Sequence, residues 1–207
     1  HLFYLFLFIL IVPNMVLCFT EPLPFMAKVA NVLLPFGCYY LLMTLSRNCG
    51  KMLWILFLFL FFGAFQIVLL YLFGQSIIAV DMFLNLVTTN SSEALELLDN
   101  LTPAIIAVII LYVPALILGT ISIIRKRKLT VEFIRRERKR AFLVFGISLL
   151  SLVGAYVQDS GYELKSDLYP LNVCYNVGLA FQRTALTQDY HRTSKDFTFH
   201  ARPTHPE

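Results

Sequence analysis

The chain has 207 residues, of which 58% are hydrophobic and 14% are charged, and its net charge is +4. Its mean hydropathy is +0.71. A disordered chain needs low hydrophobicity and high charge, so that class is excluded. A soluble domain of this size could not bury so much apolar surface. The composition therefore predicts an all-α integral membrane protein.

Five apolar stretches are long enough to cross the hydrocarbon core, which takes about 20 helical residues. They predict five transmembrane helices, at about 2–19, 29–45, 52–73, 104–124 and 141–157. The first stretch is too long for the apolar region of a signal peptide, and no small-x-small cleavage site follows it, so we interpret it as a span. Pro13, Pro35 and Pro114 fall inside spans, where neighbouring helices can satisfy the freed carbonyls.

The distribution of Lys and Arg among the loops predicts which ends of the helices are cytoplasmic. The segment 125–140 holds nine of them and two Glu, and Arg47 and Lys51 lie between the second and third spans. These two loops carry 11 of the 17 basic residues, which predicts that both loops and the N-terminus are cytoplasmic. Because 125–140 lies between two spans, we interpret it as a topology determinant that touches anionic headgroups, not as a nucleic-acid site.

Polar residues within the spans are few. Asp, Glu, Lys and Arg are absent from the middle of each predicted span, which argues against an ion-coupled transporter. Asn14 and Gln66 are the main strongly polar exceptions, and each is expected to hydrogen-bond a neighbouring helix.

Cys18 and Cys174 both fall near the predicted outer face, and whether they pair stays open. The histidine and cysteine spacings predict no metal site in this chain.

The outer segment 74–103 is too long and too patterned for a plain connection. Asp81 is suited to begin a helix, and Asn100 with Pro103 to end one. Between them, apolar residues recur at helical spacing. They are Phe83, Leu86, Val87, Ala94, Leu97 and Leu98. The pattern predicts one or two amphipathic helices lying on the outer membrane surface.

The polar residues of this segment form a pattern of their own. Asn85, Thr89 and Glu93 are spaced i, i+4 and i+8, which places them on one stripe of a helix. A carboxylate suits the ammonium of a zwitterionic lipid, while an amide and a hydroxyl suit its phosphate. The alternative is that the stripe is only the solvated face of an interfacial helix.

The order of these features resembles the membrane domain of bacterial phosphoethanolamine transferases, the enzymes that modify lipid A and include the mobile colistin-resistance group. The resemblance covers nearly the whole chain. Its sharpest motif is Asn85-x3-Thr89-x3-Glu93 within N-L-V-T-T-N-S-S-E-A. The segment from Tyr169 to about Tyr190 is similar to the bridging helix that leads into the family's catalytic domain.

The resemblance implies a function and a place for this chain within a larger enzyme. Family members move phosphoethanolamine from phosphatidylethanolamine, through a threonine nucleophile, to lipid A or another envelope glycan. Residues matching Asn85, Thr89 and Glu93 help to bind the donor lipid. The nucleophile and the zinc ligands belong to an alkaline-phosphatase-like, sulfatase-like periplasmic domain that would follow Glu207. The 207 residues are therefore expected to hold no catalytic residue, cofactor or metal of their own.

The expected organisation is a five-helix transmembrane domain over 1–158, with its periplasmic helical loop at 74–103, and a bridging helix and linker over 159–207. The expected location is the bacterial inner membrane, with a periplasmic C-terminus, and polymyxin resistance is the associated trait. Two alternatives stay open. One is the membrane domain of a phosphoglycerol-type transferase such as a lipoteichoic acid synthase. The other is a non-enzymatic channel, transporter or assembly subunit.

Overall fold

The computed structural model describes residues 1–73 and 91–194. Every regular element in these residues is a helix. In chain order the helices are α1 (Leu2–Thr20), α2 (Phe25–Met43), α3 (Cys49–Ile55), α4 (Phe57–Phe73), α5 (Ser91–Ile124), α6 (Val131–Gln158), α7 (Leu164–Asp167) and α8 (Leu171–Ser194).

Four of the helices are long and apolar enough to cross a membrane. They are α1, α2, the Leu101–Ile124 part of α5, and α6. The count rises to five if α3 and α4 form one broken span. The prediction of an all-α, multi-pass membrane protein is confirmed at this level.

The predicted third span, 52–73, is a bent pair of helices. Helix α3 begins three residues earlier, at Cys49, where the Asn48 side chain accepts a hydrogen bond from the Lys51 backbone N–H at 3.0 Å. The helix breaks at Leu56, whose ψ of 12° is outside the helical range, and α4 continues at an angle of 63°. Proline is the usual cause of a sharp kink, and none lies at this break, so the sequence offered no signal for it.

Helix α5 continues past the residues where a helix was predicted to end. The prediction that Asn100 and Pro103 terminate a helix was wrong, because α5 is continuous from Ser91 to Ile124. A proline removes one backbone hydrogen bond, and within a membrane bundle neighbouring groups make that loss tolerable. The predicted start at Asp81 and the rest of 74–90 lie outside the described residues.

Helix α6 begins inside the basic segment 125–140. Its N-terminus is capped by Thr130, whose side chain accepts a hydrogen bond from the Phe133 backbone N–H at 3.2 Å. Only residues 125–130 link α5 to α6, so the second half of the basic segment is helical.

Both basic segments lie at the same end of the bundle. The Leu129 N–H donates to the Arg47 carbonyl at 2.8 Å, and Arg138 donates to the Thr44 carbonyl at 2.7 Å. We call residues 44–48 and 125–140 the basic end. This pairing of the two loops agrees with the alternation of helices expected from the sequence.

The opposite end joins the α1–α2 connection to the segment after α6. The Met26 N–H donates to Gln158 Oε1 at 2.8 Å, and Asn31 donates to the Asp167 carbonyl at 2.7 Å. We call residues 20–28 and 158–170 the acidic end, because four carboxylates and two lysines lie there.

The bundle presents apolar side chains both inward and outward. Helices α2 and α6 pack closely, since a Cβ at Gly37 would lie 3.1 Å from the Phe145 Cα. On the outside, Ile110, Leu150 and Val157 are 69%, 73% and 83% exposed. Large apolar side chains on the outer surface of long helices are expected when lipid, not water, surrounds them.

Helix α8 matches the helix predicted from Tyr169 to about Tyr190. Its first turn is fixed to the bundle, because Tyr169 and Val173 pack in one buried cluster with Leu17, Leu69 and Leu70. Its role as a bridge to a further domain stays a prediction.

Candidate functional site

The three residues predicted to bind a lipid headgroup fall largely outside the described part of the chain. Asn85 and Thr89 belong to 74–90, which is not described. Glu93 lies in the first turn of α5, but its side chain is also outside the described ones. The site formed by Asn85, Thr89 and Glu93 therefore stays a prediction.

The backbone of α5 places Glu93 at the acidic end. Near its C-terminus, α5 contacts α3 at the basic end, where Gly119 lies against Gly50. The opposite terminus of α5 therefore lies at the acidic end. The fourth span was predicted to begin at 104 and α5 begins at Ser91, so thirteen helical residues precede the span and extend the helix by about 20 Å.

A buried network of amide groups holds the acidic end together. The Asn14 side chain of α1 donates to the Asn31 carbonyl at 3.0 Å and to the Tyr169 carbonyl at 2.7 Å. The Asn31 side chain of α2 donates in turn to the Asp167 carbonyl at 2.7 Å. Two side chains thus connect α1 and α2 to the segment that leads into α8, and the expectation that Asn14 hydrogen-bonds a neighbouring helix is confirmed.

Pro35 explains why Asn14 contacts α2 at this point. In a regular helix the Asn31 carbonyl would accept from the N–H four residues later, but Pro35 has no N–H. The freed carbonyl is buried, and leaving it unsatisfied would be costly. The Asn14 amide supplies the missing donor. The proline was therefore a usable sequence signal for an interhelical contact at Asn31.

Tyr162 completes the network from the segment between α6 and α7. It is buried, its ring packs edge-to-face on Tyr156, and its hydroxyl donates to Asn31 Oδ1 at 2.5 Å. Burial raises the pKa of Tyr162 above its ordinary value, and the negative charge of Asp167 raises it further. The hydroxyl therefore stays protonated and remains a donor at neutral pH.

A small pocket adjoins this network. Its lining includes Asn14, Lys28, Asp167, Glu21 and the aliphatic side chain of Leu17. The enclosed volume is about 10 Å³, which is room for about one water molecule. Asn14 Oδ1 has no hydrogen-bond partner within the described residues, so a water here would satisfy it. The pocket brings an ammonium and two carboxylates to the acidic end.

Two more buried hydroxyls, those of Tyr112 and Tyr169, lie close to Gly63. A Cβ at Gly63 would lie 2.9 Å from Tyr112 Oη and 3.4 Å from Tyr169 Oη. Among the described residues, neither hydroxyl has a hydrogen-bond partner. Gly63 is required here because any side chain would collide with the Tyr112 hydroxyl or with Pro13.

A second polar cluster, missed by the sequence analysis, surrounds Glu137 at the basic end. Glu137 is fully buried and accepts hydrogen bonds from the Tyr40 hydroxyl at 2.5 Å, from Arg136 at 3.1 Å and from Arg140 at 3.0 Å. Segment 125–140 was predicted to be a basic loop between two spans, which would have left Glu137 outside the bundle. Ile134 and Ala141 lie three residues before and four after Glu137, so continued helical spacing would have placed it on the buried face.

Metal-binding groups are not gathered in the described part of the chain. Within residues 1–73 and 91–194, no group of three or more His, Cys, Asp or Glu side chains is placed to hold a metal ion. Cys18 and Cys174 both carry free thiols.

Comparison with family models, with curated proteins and with solved structures finds no match for this chain.

Replacing Asn14 by leucine is expected to lower the free energy of unfolding by about 1–3 kcal/mol. The substitution removes the donor shared by the Asn31 and Tyr169 carbonyls and leaves both buried and unsatisfied. Thermal unfolding in detergent, followed by Trp54 fluorescence, measures the change. Met15→Leu, which alters the adjacent lipid-facing residue, is the control and should leave the midpoint unchanged. Equal midpoints for both variants would contradict the network.

Proposed function

We propose that this chain is the membrane domain of a phosphoethanolamine transferase. The complete enzyme moves phosphoethanolamine from phosphatidylethanolamine to lipid A or another envelope glycan. The domain anchors the enzyme in the bacterial inner membrane, with the basic end in the cytoplasm and the acidic end in the periplasm. It also binds the donor lipid through Asn85, Thr89 and Glu93.

The resemblance in sequence order supports the proposal. The motif Asn85-x3-Thr89-x3-Glu93 precedes the fourth span, the basic segment precedes the fifth, and a helix matching the bridging segment follows. The bundle has four candidate spans, or five with the bent pair, which agrees with the number expected for the family.

The observation that carries the proposal is the motif Asn85-x3-Thr89-x3-Glu93, and the charges at the acidic end add support. The pocket there holds only about one water molecule, so a headgroup would lie outside it, beside the charged side chains. A phosphoethanolamine headgroup has one phosphate and one ammonium, so it is best held by groups of both signs. Lys28 supplies a positive charge, while Glu21 and Asp167 supply negative ones, and all three side chains are half-buried. The start of α5, which carries Glu93, lies at the same end of the bundle.

Glu93 also favours ethanolamine over glycerol as the transferred headgroup. A glycerol headgroup has no ammonium, so a carboxylate on the donor-facing stripe would have no charge to pair with and would repel its phosphate. Glu93 therefore supports phosphoethanolamine transfer over phosphoglycerol transfer.

The chemistry belongs to the domain that would follow Glu207. There a threonine hydroxyl would be the nucleophile toward the donor phosphate, with diacylglycerol as the leaving group, and zinc held by that domain would supply positive charge. The contribution of this chain is positional, because it would hold the donor phosphate at the membrane surface within reach of that nucleophile.

Two steps test the function directly. The first is to sequence the parent gene onward from the codon for Glu207. The second is to express the longer product in a Gram-negative host that lacks such enzymes and to examine its lipid A by mass spectrometry. We expect an open frame containing a threonine nucleophile with Asp and His clusters, and lipid A carrying phosphoethanolamine. The 207 residues expressed alone should leave lipid A unmodified.

Other results would overturn the proposal in distinguishable ways. Glycerol phosphate in place of phosphoethanolamine on an envelope acceptor would establish the phosphoglycerol alternative. A frame that stops within a few dozen codons would remove the enzyme altogether and favour a small membrane-embedded binding or assembly protein.

A further inference from the structure

Three arginines from two separate segments converge on one groove at the basic end. Arg47 comes from the connection between α2 and α3, and Arg135 and Arg138 come from the first turns of α6. Val131 and Ile134 form the apolar part of the groove, whose volume is about 310 Å³. That volume is at the lower end of the range typical of small-ligand sites, about 300–1,000 Å³.

Two of the arginines are held in place by backbone carbonyls. Arg47 Nε donates to the Leu129 carbonyl at 3.0 Å, while the Leu129 N–H donates back to the Arg47 carbonyl at 2.8 Å. Arg138 Nη2 donates to the Thr44 carbonyl at 2.7 Å. A guanidinium has five N–H donors, so each keeps most of its donors for a ligand.

The groove has no negative charge of its own to balance the arginines. None of the ion pairs among the described residues includes Arg47, Arg135 or Arg138. The nearby buried carboxylate, Glu137, is engaged by Arg136 and Arg140 instead. Three guanidiniums that line one groove repel one another, and an anion in the groove would relieve that repulsion.

The position of the groove indicates which anion it takes. Arg135 and Arg138 lie within two turns of the predicted fifth span, 141–157, which is the depth of lipid headgroups. Phe142, one turn beyond Arg138 on the same helix, is 60% exposed. Phe142 therefore meets acyl chains, and the rise of about 1.5 Å per residue puts Arg138 and Arg135 about 4–9 Å outside the start of that span. A planar guanidinium can donate two parallel hydrogen bonds to two oxygens of one phosphate. The ammonium of a lysine is a point charge and lacks this geometry.

We propose that Arg47, Arg135 and Arg138 form a binding site for the phosphate of an anionic phospholipid in the leaflet at the basic end. The shared chemistry is recognition of a phosphate oxyanion, and the position of the arginines next to the predicted span favours a lipid over inorganic phosphate. The site lies at the end of the bundle opposite the predicted donor stripe, and it holds whether or not the chain belongs to a transferase.

Native mass spectrometry of the full chain in detergent tests the site. The protein is titrated with phosphatidylglycerol and, separately, with phosphatidylcholine of the same acyl chains. We expect tighter binding of phosphatidylglycerol, and a loss of about fivefold in its affinity on Arg135→Gln, since one basic residue near a membrane surface contributes about 1 kcal/mol. Arg135 makes no hydrogen bond or ion pair within the described residues, so the variant should fold normally.

Lys139→Gln is the matched control. It removes one positive charge four residues along α6, outside the groove lining, and should change the affinity by less than about twofold. Arg135→Lys should weaken binding although it keeps the charge, because it loses the planar fork. Equal losses in Arg135→Gln and Lys139→Gln would reduce the effect to general electrostatics and overturn the site.

Competition with inorganic phosphate shows whether the ligand is a lipid phosphate or free phosphate. An excess of it should not displace phosphatidylglycerol from the protein, because acyl chains beside Phe142 also contribute to lipid binding. Displacement by inorganic phosphate at concentrations comparable to the lipid, or equal affinities for the two lipids, would contradict the proposal.

Discussion

Replacing Gly50 by alanine is expected to destabilise the protein by about 3 kcal/mol or more, a large fraction of the marginal stability of a folded protein, and so to lower the unfolding midpoint and the folded yield. A Cβ at Gly50 would lie 2.2 Å from the Gly119 carbonyl oxygen and 2.9 Å from the Gly119 carbonyl carbon. Both are backbone atoms of α5, so no side-chain rotation relieves the clash and the two helices must separate.

Separation of α3 from α5 would break other contacts that depend on it. Trp54 Nε1 donates to Thr120 Oγ1 at 3.1 Å, and the Asn48 side chain donates to the Ser122 carbonyl at 3.3 Å. Small residues at a helix crossing are the usual means of close packing in membranes, where no hydrophobic force drives helices together. The loss therefore spreads along the whole α3–α5 contact.

Gly146→Ala is the control for this prediction. Gly146 also lies within a helix, α6, but a Cβ there would meet nothing within 4 Å. Alanine should therefore stabilise the protein by about 0.5–1 kcal/mol through helix propensity alone. Size-exclusion chromatography of detergent extracts measures the folded fraction, and Trp54 fluorescence follows unfolding. Normal yield and midpoint in Gly50→Ala would contradict the close α3–α5 contact.

The positions of the helices could be predicted because the apolar runs are long and uninterrupted by charge. Such runs have one stable state in a membrane, so length alone locates α1, α2 and the spans in α5 and α6. The break at Leu56 could not be predicted in this way. It is a bend without proline, beside the Gly50–Gly119 contact that ties α3 to α5.

Buried polar residues were harder to interpret because their partners are distant in the sequence. Asn14 could be expected to contact another helix, but only the fold shows that it joins Asn31 to Tyr169, which is 155 residues away from Asn14. Glu137 was assigned to a loop because the basic segment 125–140 lies between two predicted spans. The helix continues through that segment and turns Glu137 toward Tyr40, so local composition gave the wrong environment.

In the proposed full-length transferase, Glu93→Ala is expected to reduce phosphoethanolamine transfer by about 10- to 100-fold. The substitution removes the carboxylate that would pair with the donor ammonium, and a hydrogen bond to a charged group contributes about 1.5–3 kcal/mol. Mass spectrometry of lipid A from expressing cells measures the transfer, and membrane fractionation checks that the variant is inserted as well as the unaltered enzyme.

Asp99→Ala is the matched control, because it removes another carboxylate from the same helix. Both residues belong to α5, and six residues of helix turn Asp99 about 120° away from Glu93. Transfer should fall only in the Glu93 variant if the stripe binds the donor. Equal activity in both variants, with the unaltered enzyme active, would disprove the donor site while leaving the transferase intact. Inactivity of the unaltered enzyme would instead disprove the function, so the two proposals can fail separately.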